Sequence, residues 1–367
     1  MRETIFVTGA TGLIGGGVLH RLLKTDPGIR AIVLVRDLNR WTMHAGRFAR
    51  EAGRITAVQG DVTSPDLGME TRSRLKLSKS ISTIIHAAAD TSFSRALNES
   101  RTTNTLGTAH VLDFASECCE LERFAHVSTA FVAGRATGTI LERDNGSDTG
   151  WVNAYEQSKY EAESLVRSSG TNWTIFRPST VVCQGRDGVV TQINAVHRAL
   201  KIYHRGLAAM MPGTRENQFD FVTADYVCEA IARLTLDENA DGRTVHLCSG
   251  KNAATLGALL DTAYDVWARE ASWKKRRLAR AILTDLETYG MFERAVMDTG
   301  NPRLRGLVAS LSHFVPQLAL PKVFDTAATD ELLDIDRPQT ESYWEPMLLN
   351  LIASGWTVTG ESEEVAA

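Results

Sequence analysis

The chain has 367 residues, of which 43% are hydrophobic and 23% charged, with a net charge of −4. That size and composition fit a globular protein with a large α/β domain and an attached lobe, and the charge argues against a general nucleic-acid role. The five cysteines (Cys118, Cys119, Cys183, Cys228, Cys248) show no CxxC spacing. They therefore read as reduced, packed thiols rather than a disulfide framework or a metal site.

A strand is expected over 5–8, so close to the N-terminus that no signal peptide fits before it. No run of about 18 apolar residues follows anywhere, and the expectation is a cytoplasmic protein without an integral membrane segment. Further strands are expected over 31–35, 55–59, 81–86, 124–128 and 173–177, with helices over 15–23, 102–118 and 155–168 between them. Alternating strands and helices imply an α/β fold with a Rossmann-like, doubly wound parallel sheet. Beyond residue 177 the spacing changes: a helix over 189–203, a polar loop over 211–217, a strand and helix over 219–236 and a strand over 244–248. Residues 254–351 read as mainly helical, broken at Pro302, Pro316 and Pro321, and the acidic end after Thr357 reads as frayed. The expected division is a dinucleotide-binding core of 1–182 and 219–250, interleaved with a smaller, mainly helical C-terminal substrate lobe of 183–218 and 251–367.

The first strand runs into Gly9-Ala10-Thr11-Gly12-Leu13-Ile14-Gly15 and then a helix. Glycines let the backbone turn tightly and approach a pyrophosphate, and the helix start offers unpaired N–H groups to that anion. At this position a dinucleotide site outweighs a plain tight turn. The second strand ends in Val33-Leu34-Val35-Arg36-Asp37. An arginine there accommodates a 2′-phosphate and an acidic residue holds a ribose hydroxyl. Arg36, with Arg40 and Arg47 beyond it, predicts NADPH. Asp37 leaves NADH open. Asp61, followed by Val62, suits either an adenine amino group or a helix N-cap. Ala87, Ala88 and Ala89 are small enough for a cofactor to lie against their backbone.

Tyr155 and Lys159 are four apart on an expected helix and so share a face. An ammonium beside a phenol favours the phenolate, and such a tyrosine can protonate a carbonyl oxygen as hydride arrives. The spacing alone is common on solvated helices. Its weight comes from lying downstream of the glycine loop and of His126-Val127-Ser128-Thr129-Ala130. A hydroxyl at that strand end can stabilise an oxyanion, Thr129 as the substrate contact and Ser128 as its support. Backbone capping is the bland alternative for both.

TGATGLIG, HAAAD, NTLGT, HVSTAFVAG, YEQSKYEAE and FRPSTVV together resemble the extended short-chain dehydrogenase/reductase family over about residues 4–250. The chain is most similar to its thioester-reductase and fatty-acyl-CoA-reductase branch, the male-sterility type. The resemblance implies Gly9, Gly12 and Gly15 at the pyrophosphate, Arg36 at the 2′-phosphate and Asp61 at adenine. It implies a Thr129–Tyr155–Lys159 triad, Asn104 as a polar anchor, and Pro178 and Ser179 beside the nicotinamide amide. It also implies a homodimer and a small-molecule or carrier-bound acyl substrate, with an acyl carrier protein as the partner. No metal is implied.

Departures narrow the branch. Ala130 and Phe131 stand where sugar dehydratases carry acids. Ser179-Thr180-Val181-Val182-Cys183 replaces the epimerase run, and Ala133 replaces a tyrosine of the sugar-active pattern. The function expected is NADPH-dependent reduction of an acyl-type carbonyl. The alternatives are an alcohol/ketone dehydrogenase of the 3β-hydroxysteroid or β-hydroxy type, a nucleotide-sugar enzyme, and a non-catalytic dinucleotide-binding protein. Trp267, Trp273, Tyr289, Met291, Phe292, Met297 and Phe314 read as an apolar pocket or an ordinary helical core. Lys274-Lys275-Arg276-Arg277 with Arg280 reads as a solvated face or a phosphate, carrier or anionic-membrane docking site.

Overall fold

The computed structural model describes residues 3–143, 148–208 and 210–358, leaving the acidic end from 359 outside the described residues. Its strands in chain order are β1 (Thr4–Thr8), β2 (Arg30–Val35), β3 (Ile55–Gln59), β4 (Thr83–His86) and β5 (Arg123–Val127). They continue with β6 (Gly138–Ile140), β7 (Trp173–Pro178), β8 (Thr180–Cys183), β9 (Met210–Pro212), β10 (Gln218–Phe219), β11 (Phe221–Thr223) and β12 (Thr244–Leu247). Seven of these form one sheet in the order β12-β7-β5-β4-β1-β2-β3, and all its pairings are parallel.

Burial on both faces explains the continuous apolar runs. Successive side chains of a strand point to opposite faces. Ile5, Val7 and Val33 pack with Leu19 and Leu22 of the helix Leu13–Thr25 and with Val227 and Ile231 of the helix Ala224–Thr235. Phe6, Ile32 and Leu34 pack on the other face with Val111 and Phe114 of the helix Gly107–Glu117. The chain goes outward from β1 to β2 and β3, then returns to β4 on the other side of β1. This reversal makes β1/β4 the switch point, where open α/β sheets bind ligands at their carboxyl ends.

A further apolar cluster has all its buried members beyond residue 181, with half-buried Phe93 packed against it. It includes Val182, Tyr203, Phe219, Phe221, Trp267, Trp273, Phe314 and Trp344. Trp267, Trp273, Tyr289 and Phe314 are therefore core, whereas Met291 and Met297 are exposed. Three local expectations change here. Residues 210–212 are a strand, β9, paired with Ile282–Thr284. Lys322–Phe324 pairs with β6. The helix expected over 102–118 contains a π-helical turn, Thr102–Leu106, between Leu97–Arg101 and Gly107–Glu117. Three-residue pairings with partners so distant in sequence carry no local periodic signal. Among the described residues no helix is long and apolar enough to cross a membrane. Cys119 is the one exposed cysteine.

Candidate active site

The glycine loop connects β1 to the helix Leu13–Thr25, whose N-cap is Gly12 with no side-chain cap. Gly9 has φ +72°, a left-handed conformation that glycine adopts without steric cost. A Cβ there would come within 2.6 Å of the Ala87 and Ala88 backbone. A Cβ on Gly15 would lie 2.3 Å from the Gly9 carbonyl oxygen. At Gly12 a Cβ would meet the Gly9 carbonyl oxygen at 3.3 Å, a tight contact that a shift of a few tenths of an ångström would relieve. Gly9 and Gly15 thus bring strand, helix and the β4 end together, and Gly12 leaves the uncapped helix start open. That is the cradle a pyrophosphate fits, with Thr11, Leu13 and Ile14 on its rim. Ala87, Ala88 and Ala89 are half-buried at the end of β4, and the Ala88 N–H donates to the Thr8 hydroxyl at 3.2 Å.

The end of β2 separates Arg36 from Asp37. Asp37 caps the next helix, Leu38–Ala45, accepting from the N–H groups of Asn39 at 2.8 Å and Arg40 at 3.2 Å. Arg36 is exposed. Arg40 and Arg47 gather nearby: burial and these two guanidinia hold His44 below its usual range. Asp61 Oδ1 accepts from the Thr63 N–H and hydroxyl, both at 2.9 Å, which closes a local turn rather than capping a helix, since the next helical turn, Pro65–Gly68, has Ser64 as its N-cap. Val62 is buried, and its carbonyl bonds His110 Nδ1 at 2.8 Å.

Tyr155 and Lys159 lie on the helix Ala154–Ser168, which Asn153 caps by accepting from the Glu156 N–H at 3.0 Å. Tyr155, Ser158, Lys159, Ala162, Glu163 and Val166 are its buried stripe, the spacing of one helical face. Tyr155 is within hydrogen-bonding reach of Thr129, at the end of β5. Its phenol is pushed up to about 12, mainly by burial, with Thr129 opposing and Glu156 adding. The expected lowering by lysine is overturned. Lys159 Nζ donates to the Val127 carbonyl at 2.8 Å and faces His126 Nε2 at 3.4 Å. Burial lowers Lys159 to about 8, against the pull of Glu163. His126 is itself held well below its usual range by burial and Lys159, and stays a neutral acceptor.

Behind the pair, buried Arg177 grips Glu163 with two bonds of 2.9 and 2.7 Å, and Arg167 adds a third at 2.9 Å. Burial would raise Glu163, but Arg177 and Arg167 hold it ionised. The Ser128 hydroxyl is buried and faces that carboxylate. Asn104, in the π-helical turn, donates to the Asp90 carbonyl at 3.0 Å and the Ser158 hydroxyl at 2.9 Å, joining the β4 loop to the Tyr155 helix. Pro178 ends β7, and the Ser179 hydroxyl faces buried Asp220.

Phe93 carries no motif, and sequence reasoning passed over it. Its ring lies 5.5 Å from Tyr155 and stacks on Phe314 at 6.5 Å, with Phe219 against Phe314 at 5.8 Å. Of the aromatic set singled out by sequence, Phe314 reaches this wall. In the basic run, Arg276 donates to the His204 and Arg205 carbonyls and Arg280 pairs with Asp261. Lys274, Lys275 and Arg277 are exposed.

Residues 7–231 match the model of the male sterility protein family of NAD-binding domains. The chain belongs to that family. It is 27% identical over 164 residues to an alcohol-forming fatty acyl-CoA reductase of Simmondsia chinensis, covering 38% of this chain and 33% of that one. The chain thus spans a third of that relative's length. The terminal R domain of the myxalamid PKS-NRPS biosynthetic pathway superposes with a TM-score of 0.79 at 24% identity, over 98% of this chain and 93% of that one. A thiolation-reductase di-domain of an archaeal non-ribosomal peptide synthetase superposes with a TM-score of 0.72 at 19% identity, over 97% and 76%.

Proposed function

We propose that this chain is an NADPH-dependent reductase of acyl thioesters, yielding an aldehyde or, after a second reduction, an alcohol. What supports it is Thr129 within reach of Tyr155, Lys159 one turn further along the same buried helix face, and Phe93 against Tyr155 with Phe314 behind it. Gly9, Gly12 and Gly15 would hold the pyrophosphate and Arg36 the 2′-phosphate, with Asp61 Oδ2 and Val62 beside adenine. Ala87, Ala88 and Ala89 would form the floor, and Pro178 and Ser179 would flank the amide. Bound there, a nicotinamide supplies hydride.

Tyr155, protonated far above neutral pH, donates its proton to the carbonyl oxygen, while the Thr129 hydroxyl bonds the same oxygen. Lys159, anchored by Val127 and His126, presents its charge to the site. The resulting hemithioacetal then breaks its C–S bond as its hydroxyl gives back the proton, which the departing thiolate takes up, so that aldehyde and free thiol result. Ala130 and Phe131 put no carboxylate beside Thr129, so elimination chemistry lacks its base. The thioester carrier is coenzyme A or an acyl carrier protein, for which the exposed Lys274, Lys275 and Arg277 offer a phosphate-binding surface. The similarity to acyl-CoA and carrier-linked reductases supports this reading.

The test mixes the protein with NADPH and palmitoyl-coenzyme A and follows NADPH absorbance and free thiol together. Thiol released in step with NADPH oxidation is expected. Tyr155→Phe should lose about 10²–10⁴ in turnover and keep NADPH affinity. NADPH oxidation with ketones but no thiol release from any thioester would overturn the assignment.

A further inference from the structure

Glu156 follows Tyr155 directly, yet no step above uses it. It is 1% exposed. Its Oε2 accepts from the Val152 N–H at 2.9 Å, and its Oε1 accepts from Asn153 Nδ2 at 3.1 Å and from Gln317 Nε2 at 2.7 Å. The Gln317 carbonyl oxygen in turn accepts from Lys322 Nζ at 2.8 Å. Gln317 is 5% and Lys322 6% exposed. A buried chain of carboxylate, amide and ammonium, far apart in sequence, is costly to desolvate, and it fixes one arrangement because each member is satisfied only there.

The same segment is tied to the first turn of the Tyr155 helix a second time, where Asn153 Nδ2 donates to the His313 carbonyl at 3.1 Å. Between these two ties sits Phe314, at the start of the 3₁₀ turn Val315–Ala319, stacked on Phe93 beside Tyr155. Apolar packing alone would allow this ring to slide. The hydrogen bonds, being directional, do not.

We propose that Glu156 is a positioning residue. Through Gln317 and Lys322 it locks segment 313–322 onto the start of the Tyr155 helix, and so seats Phe314 in the wall that grips an apolar acyl chain. The part concerning the acyl chain rests on the function proposed above; the lock itself does not.

Every donor around Glu156 points at a carboxylate, so Glu156→Gln turns one N–H₂ against a donor. Gln317→Glu alone sets two carboxylates face to face. The double exchange Glu156→Gln with Gln317→Glu rebuilds the link between the two positions in reverse, with the new amide donating to the new carboxylate and Lys322 pairing with it directly, and gives up only the bond from Asn153 Nδ2 to position 156, which leaves Asn153 Nδ2 its His313 carbonyl. Two readouts are independent of turnover: amide hydrogen exchange over 313–320, and affinity for palmitoyl- against acetyl-coenzyme A.

Each single variant should speed exchange over 313–320 about tenfold, as for one lost bond to a buried carboxylate. Each should also weaken palmitoyl-coenzyme A about tenfold relative to acetyl-coenzyme A, and the double exchange should restore both. A purely structural role would change global stability without separating the two ligands. Unchanged exchange in the single variants, or a double variant no better than Gln317→Glu, would overturn the lock. Faster exchange with an unchanged ligand ratio would overturn the seating of Phe314. If the parent binds neither thioester, the functional reading fails, and the exchange data still decide the lock.

Discussion

Replacing Lys159 with methionine should separate the stability of this fold from its chemistry. Lys159 is buried at 1% exposure, and that burial lowers it from 10.5 to about 8. A group whose folded value is depressed costs stability once it ionises in the native state. The unfolded chain still binds this proton up to about pH 10.5 while the folded chain releases it near 8, so parental stability rises across that window. At about 1.4 kcal/mol per pH unit, the rise is about 3 kcal/mol.

The Lys159→Met variant lacks it. Other titrating groups, common to both proteins, largely cancel in the difference. Urea unfolding of parent and variant at steps from pH 7 to 11 measures this directly. Relative to the parent, the variant should be favoured by about 3 kcal/mol more at pH 7 than at pH 11. It should also be inactive throughout. Parallel pH profiles for the two proteins would refute the argument that burial, rather than its hydrogen bonds, governs this lysine.

Two further outcomes test the cofactor cradle. Arg36→Ala should reduce kcat/KM with NADPH by roughly ten- to a hundredfold, as for a lost charged hydrogen bond, and leave NADH little changed, because NADH has no 2′-phosphate for Arg36 to hold; equal parental use of both cofactors would reject the preference. Gly15→Ala forces a methyl to 2.3 Å from the Gly9 carbonyl oxygen. It should cost about 1–3 kcal/mol in unfolding experiments and abolish NADPH binding measured by fluorescence, and a variant with parental affinity would show that the loop tolerates a wider turn.

Much of the fold was legible because parallel strands buried on both faces read as apolar runs, and β1, β2 and β3 fell within a residue of their expected bounds. The Tyr155 helix was legible because its buried stripe repeats every three to four residues. The glycines announced the cradle because their backbone role depends on local geometry alone. What escaped was mostly distant in sequence. Phe93 has no periodic signature, and its partner Phe314 looked like one of several core aromatics. Glu156 and Gln317 are 161 residues apart, and nothing local distinguishes them from solvated polar residues.

The sequence by itself therefore determined the doubly wound core, the glycine turn after β1 and the shared helix face of Tyr155 and Lys159. These follow from local spacing and periodicity. The tertiary structure decided how those side chains behave. It buried Tyr155 deeply enough to keep it protonated, turned Lys159 toward Val127 and His126, and set Asp37 Oδ1 on a helix cap. It also brought segment 313–322 against the Tyr155 helix to build the apolar wall. Protonation depends on how much water and which charges surround a group, and these are fixed only when distant parts of the chain close around it.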